Sequence, residues 1–302
     1  MAQADTTGEG ISLRAEGAVA RRQAVSRASR YVLLGASLIG VVILIVLAYD
    51  TIAQGAGRIN MSFITNYPSR FADQAGLRSS ILGTLWVVGT TIVLAFPVAI
   101  GTAIWIEEFA PRNWLTGFVK LNLANLAGVP SIIYGILGLT IFVRFMDMGP
   151  SVLAGAFTLA LMIIPMTVIA AQEAIKQVPP SVRDGSLALG ATQWQTVWYH
   201  VLPSAMPGII TGIILATSRA IGETAALIMI GAFTFIAYDH SINPLEALSE
   251  DFTTVPVQIY NWTIRPQDAF RQNAAAAIII LMIAVLALNL TAAVIRERFR
   301  SS

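Results

Sequence analysis

The chain has 302 residues, 56 % of them hydrophobic and 12 % charged, with a formal net charge of +2. Ordinary soluble domains carry about 25 % charged residues, so a soluble globule and a disordered chain are both excluded, and lipid is the solvent this composition fits. There is no cysteine, and the two histidines, His200 and His240, stand outside any H-E-x-x-H pattern, which removes disulfides, thiolate chemistry and a histidine-based metal site. The mild basic excess suits lipid headgroups rather than nucleic acid.

Residues 1–30 are polar and arginine-bearing and read as a cytoplasmic N-terminal tail. Beyond them lie intervals free of Asp, Glu, Lys and Arg: Tyr31–Tyr49, Ser79–Ile106, Leu121–Val143, Met148–Gln172 and Gln272–Ile295. Each is long enough to cross a hydrocarbon core of ~30 Å at ~1.5 Å per residue. The first is too long for a signal-peptide core and reads as a retained helix. A further apolar stretch, Ser204–Tyr238, contains Arg219 and Glu223 and reads as one spanning helix interrupted by charge. The expectation is an all-α, polytopic membrane protein with six transmembrane helices over 31–302. Pro97, Pro130, Pro165, Gly208, Gly212 and Gly222 within these spans read as kinks and points of close helix packing. With the N-terminus inside, Lys and Arg divide twelve to six between the cytoplasmic and outer loops, which favours both termini inside. Two outer segments, Asp50–Arg78 and Asp239–Arg271, are long enough either to dock a partner or to serve as connectors.

The cytoplasmic loop 173–203 has structure of its own. Pro179-Pro180 stops the preceding helix. Ser181 offers an N-cap with Asp184 three residues on, a short helix is predicted to run to Leu189, and Gly190 supplies its stop. Thr192 and Gln195 form a second capping box. Trp194, Val197, Trp198 and Val201 then share one side of a helix that Pro203 is expected to end. Asp184-Gly185-Ser186, Gly190 and Leu202-Pro203 together resemble the "EAA" motif of ABC importer permeases. Asp-Gly-Ser replaces Glu-Ala-Ala, and His200 stands at a usually aliphatic position. The resemblance implies a type I ABC importer permease fold, with 173–203 as a coupling loop seated on a cytoplasmic ATPase through Asp184, Gly185, Ser186, Gly190, Trp194, Leu202 and Pro203. The chain has no G-x-x-x-x-G-K-[ST] loop, so ATP and Mg are expected in the partner ATPase. This chain is expected to be non-catalytic and without a cofactor or metal.

Arg219 and Glu223 are spaced i and i+4, so on a continuous helix they share a face. A charge at the centre of a spanning helix disfavours insertion by ~2.5–3.5 kcal/mol, so such residues face a polar path or a partner. A structural ion pair is one reading of them. The other is an oxyanion site: the guanidinium fork matches phosphate or sulfate oxygens. A carboxylate beside it then suits an anion that brings its own proton, as hydrogen phosphate does. Arg219-Ala220-Ile221-Gly222-Glu223-Thr224 resembles a segment of the permeases of the phosphate-specific ABC importer (Pst). Val129–Gly135 and Ala103–Ala110 are similar to that family too, and Val255–Trp262 resembles the PstA type more than the PstC type. The likeness implies a substrate path past Arg219, Gly222, Glu223 and Thr224, and alternating access in the cytoplasmic membrane. It also implies a heterodimer with a PstC-type permease, a PstB-type ATPase pair inside and a PstS-type binding protein outside. Permeation of another oxyanion (sulfate, molybdate, phosphonate) and secondary transport remain alternatives. A lipid-phosphate enzyme would need more than the intramembrane carboxylate Glu223.

Overall fold

The computed structural model describes residues 18–232, 235–241 and 243–300. The chain divides into two units, 1–50 and 51–302. Of the polar stretch 1–30, residues 1–17 lie outside the described residues and 18–30 are the first turns of α1 (Ala18–Gly55).

The second unit is helical apart from one isolated bridge, Ser151 with Asp251, among the described residues. α2 (Arg78–Ile104) ends in a π turn, Trp105–Phe109. α3 (Trp114–Ala127) is followed by α4 (Ser131–Gly138), prolonged by a second π turn, Leu139–Phe145. α5 (Val152–Lys176) leads into the loop helices α6 (Pro180–Ala188) and α7 (Gln193–Thr196). A third π turn, Val197–Val201, opens α8 (Leu202–Gly222), and α9 (Ala225–Met229), α10 (Val255–Thr263) and α11 (Asp268–Arg300) complete the chain.

Three expectations are corrected. Leu121–Val143 is not one straight span: α3 and α4 meet at a bend of 101°. Pro130 has no N–H to continue the helix and drives the residue before it toward extended backbone. The described residues therefore hold five helices able to cross a membrane, or six with the bent pair as one. The bent pair does carry the chain back along the bundle. Thr91 Oγ1 reaches the Ala156 carbonyl at 3.4 Å and Gln172 reaches Glu107 at 3.1 Å, both at a separation of 65 residues, so α2 and α5 run parallel. Second, the apolar stretch Ser204–Tyr238 is not one interrupted helix. It breaks after Gly222, and Gly231 turns the chain with φ +92°. Third, Pro203 does not end a loop helix; Gln193–Gly222 is one span. The wide π turn just before the proline relaxes the backbone where its ring and missing N–H would break an α-helix.

The core lies between α2, α5 and α8, with Val87, Ala95, Leu159, Ile163 and Ala216 buried together. Lipid tails are as apolar as these side chains, so close backbone approach rather than water exclusion holds such helices. A Cβ added at Gly212 would stand 2.7 Å from that of Ala170. At the other end of α2, the segment before α10 folds back onto the helix. A Cβ at Gly83 would meet the Thr253 carbonyl oxygen at 2.1 Å, and Val255 N donates to Thr84 Oγ1 at 3.0 Å. The segments 50–78 and 239–271 pack on each other there: the buried Phe63 and Trp262 rings are 5.7 Å apart, and Arg78 Nε donates to Asp239 at 2.8 Å.

Candidate functional site

The charged break lies deep in the bundle. α8 runs antiparallel to α5, since Gly208 packs on Ala174 and Gly212 on Ala170. Seven residues beyond Gly212, about 10 Å at ~1.5 Å per residue, Arg219 comes level with the middle of α5 (Val152–Lys176). Arg219 is exposed, on the last turn of α8. Tyr134 of α4 lies near enough to interact with it electrostatically, while the Tyr134 hydroxyl itself donates to the Leu126 carbonyl at 2.8 Å.

Arg219 and Glu223 do not share a helix face. Gly222 closes α8, and Glu223 is already extended with ψ 129°. Among the described residues the ion pairs join other side chains, and none links these two. Glu223 instead accepts from Ala226 N at 3.2 Å, capping the first turn of α9, and Thr224 Oγ1 approaches the Gly222 carbonyl at 3.4 Å. The four predicted path residues thus stand together at a helix break, half-buried or exposed. The local signal was present in the sequence: a glycine, then a carboxylate three residues before an N–H it caps.

The loop 173–203 forms two short helices about Gly190, whose φ of +87° suits glycine. Thr192 and Gln195 make the expected capping box. The N-cap of α6 is Pro179 rather than Ser181, because Pro180 takes the first helical position, where its missing N–H costs nothing. Ser186 is buried and hydrogen-bonded to Thr196 at 2.9 Å, which ties α6 to α7. Asp184, Gly185 and Gly190 are exposed, as is Pro203, and Leu202 is half-buried. The predicted aromatic stripe divides: Val197 and Val201 are buried, whereas Trp194 and Trp198 stack on each other at 5.8 Å and stay exposed.

Sequence reasoning missed what fastens this loop. Arg183 donates to Glu108 through Nε at 3.1 Å and Nη2 at 2.6 Å, and Lys120 donates to Glu107 at 2.9 Å. Adjacent carboxylates at the end of an apolar span were the available clue. No group of three or more His, Cys, Asp or Glu able to hold a metal occurs among the described residues.

An all-helical membrane bundle with a charged break at mid-depth and a folded helical loop at one end has the parts of a transport permease. Residues 95–301 match the family of binding-protein-dependent transport system inner membrane components, and the chain belongs to that family. It is 31 % identical over 266 residues to the probable ABC transporter permease protein YqgI of Bacillus subtilis, covering 86 % of this chain and 90 % of that one. It is 33 % identical over 229 residues to phosphate transport system permease protein PstA 1 of Mycobacterium tuberculosis, covering 76 % and 72 %. Among solved structures, a bacterial ABC transporter for the acidic polysaccharide alginate matches with TM-score 0.61 at 19 % identity, over 91 % of this chain and 99 % of that one. The MetNI methionine ABC transporter matches with TM-score 0.59 at 17 % identity, over 73 % and 94 %. The fold is that of type I ABC importer permeases, and the protein is embedded in the membrane by several passes.

Proposed function

We propose that the chain is the PstA-type permease subunit of an ATP-driven importer of inorganic phosphate. It is itself non-catalytic and works with a PstC-type permease, a PstB-type ATPase pair and a PstS-type binding protein. The likeness to the Mycobacterium tuberculosis phosphate permease supports the cargo. The observation that carries the reading is Arg219: an exposed arginine level with the middle of the bundle, without a hydrogen bond or ion pair among the described residues. Such a group persists in lipid only where it faces a polar path or a partner, and its fork matches tetrahedral oxyanions. Phosphate released by the binding protein passes Arg219, Gly222, Glu223 and Thr224 as the permease alternates between outward and inward access. The loop 173–203 sits on the ATPase with ATP and Mg held there, and both termini face the cytoplasm. Glu223 favours an anion that can donate a proton, which separates hydrogen phosphate from sulfate.

The test is labelled phosphate uptake by the assembled complex in liposomes. Arg219→Ala is expected to cut uptake about tenfold or more, the worth of one charge-assisted hydrogen bond, while ATP hydrolysis continues. Unchanged uptake removes Arg219 from the path. Glu223→Gln is expected to slow phosphate and admit sulfate. A variant with the wild-type phosphate rate and intact sulfate rejection refutes the selectivity role.

A further inference from the structure

The two carboxylates that close α2 go to different elements. Both stand on the π turn Trp105–Phe109, which holds one more residue than an α turn. Glu107 accepts from Lys120 of α3 at 2.9 Å and from Gln172 of α5 at 3.1 Å. Glu108 is 8 % exposed and takes a two-pronged grip from Arg183 of α6, at 2.6 Å through Nη2 and 3.1 Å through Nε. The rest of that guanidinium is spent on backbone: Nη1 donates to the Val178 carbonyl at 2.7 Å and Nη2 to the Ile175 carbonyl at 3.0 Å. The other arm of the loop grips the same turn. Gln193 donates to the Glu108 carbonyl, and the Trp194 ring lies 6.1 Å from that of Phe109.

Covalently the loop is joined only to α5 and α8. Helices as short as α6 and α7 are not rigid on their own; their stiffness comes from what they are fastened to. A planar arginine fork hydrogen-bonded through all three of its nitrogens fixes orientation as well as distance. Losing one member strands a buried charge, so the contact is made or broken as a unit.

We propose that Glu108 and Arg183 are positioning residues that join the loop and the end of α2 into one rigid lever. Displacement of the loop by a partner is then delivered straight to α2, and through Glu107 and Lys120 to α3, beside the route along α5, whose end the same clamp holds through Gln172 and Ile175. The inference rests on the coupling role proposed above for 173–203.

The chain has no cysteine, so spin labels can be placed at Val98→Cys on α2 and Leu189→Cys on the loop, whose native side chains are 54 % and 91 % exposed. In the assembled complex the distance between the labels is measured by electron double resonance, without nucleotide and with ATP trapped by vanadate. The lever predicts one distance in both states. In Glu108→Gln and Arg183→Gln the distribution shifts or broadens on trapping, and phosphate moved per ATP hydrolysed falls about tenfold, within the usual range of coupling free energies. Arg183→Lys keeps the charge without the fork and falls between. A label distance that changes on trapping in the otherwise native chain overturns the lever. So do Gln variants with the native ratio of phosphate to ATP. Where the Gln variants do not assemble, the label distance in the native background still decides. That distance needs no cargo, so a complex that moves no phosphate defeats the phosphate reading and leaves this test standing.

Discussion

Arg183 and Arg219 are the same side chain under opposite conditions. Arg183 is largely buried and spends its donors on Glu108 and two carbonyls. Arg219 stands exposed at the end of α8. The first is held in one geometry by everything around it, as a structural arginine is; the second is left able to meet something that arrives. A third arginine marks the far end of α2, where Arg78 is bonded to Asp239. The hydrogen bonds from Arg78 hold the Asp239 carboxyl below the usual carboxylate range, against a smaller opposing effect of desolvation, with Tyr67 and the Arg78 charge adding to the lowering. A carboxyl depressed in the folded state stabilises above its unfolded pKa of about 4. That contribution is lost as pH falls through the lower folded value. The pair's contribution to melting in detergent is therefore expected to be present and constant between pH 8 and 5 and to be lost only in acid. Asp239→Asn removes that part of the acid dependence and lowers the melting temperature slightly at neutral pH, because both partners are well exposed and screened. An acid limb identical to wild type would place the dependence elsewhere.

Along the elements, glycine identity matters only where another backbone is in the way. Gly83 and Gly89 lie on the same helix, yet a Cβ at Gly83 would collide with the Thr253 carbonyl whereas at Gly89 it would meet nothing within 4 Å. Gly83→Ala is expected to destabilise by about 1–3 kcal/mol, as overpacking does. Gly89→Ala should be neutral or mildly stabilising, since alanine favours a helix over glycine. Unfolding in detergent compares the two, and equal stabilities would contradict the close seating of 253–255 on α2. The sequence could not announce this contact, which joins residues about 170 apart. It did announce the long apolar elements, because an interval without charge is a local property. It did not announce the breaks at Pro130 and Gly222, since a proline or glycine in a membrane helix is as compatible with a mild kink as with a bend of 101°. The three π turns carry no composition signal of their own. The break at Gly222 is why Arg219 and Glu223 stand near each other in the chain without the shared helix face their spacing suggested.

For the whole molecule, topology follows from packing that spans the bundle. α2 and α5 run parallel, so the bent α3–α4 pair returns the chain from the Glu107 end to the Ser151 end. The segments 50–78 and 239–271 meet through Phe63 and Trp262 and therefore lie on one side. The loop 173–203 grips the opposite end of α2 through Arg183. With lysines and arginines richer on the loop side, that side is expected to face the cytoplasm. In the cysteine-free chain, Leu189→Cys and Leu245→Cys place single thiols at residues 91 % and 78 % exposed, one at each end. A membrane-impermeant thiol reagent is expected to label Leu245→Cys in intact cells, and Leu189→Cys only after the membrane is opened. Labelling in the reverse order would invert the molecule, put the exposed tryptophans Trp194 and Trp198 outside and leave an ATPase nothing to hold. Equal labelling of both in intact cells would mean that α8 and the segment that continues it do not complete a crossing, since only an odd number of passes between residues 189 and 245 separates the two thiols. α8 with the segment that continues it supplies that pass, and Arg219 lies on it.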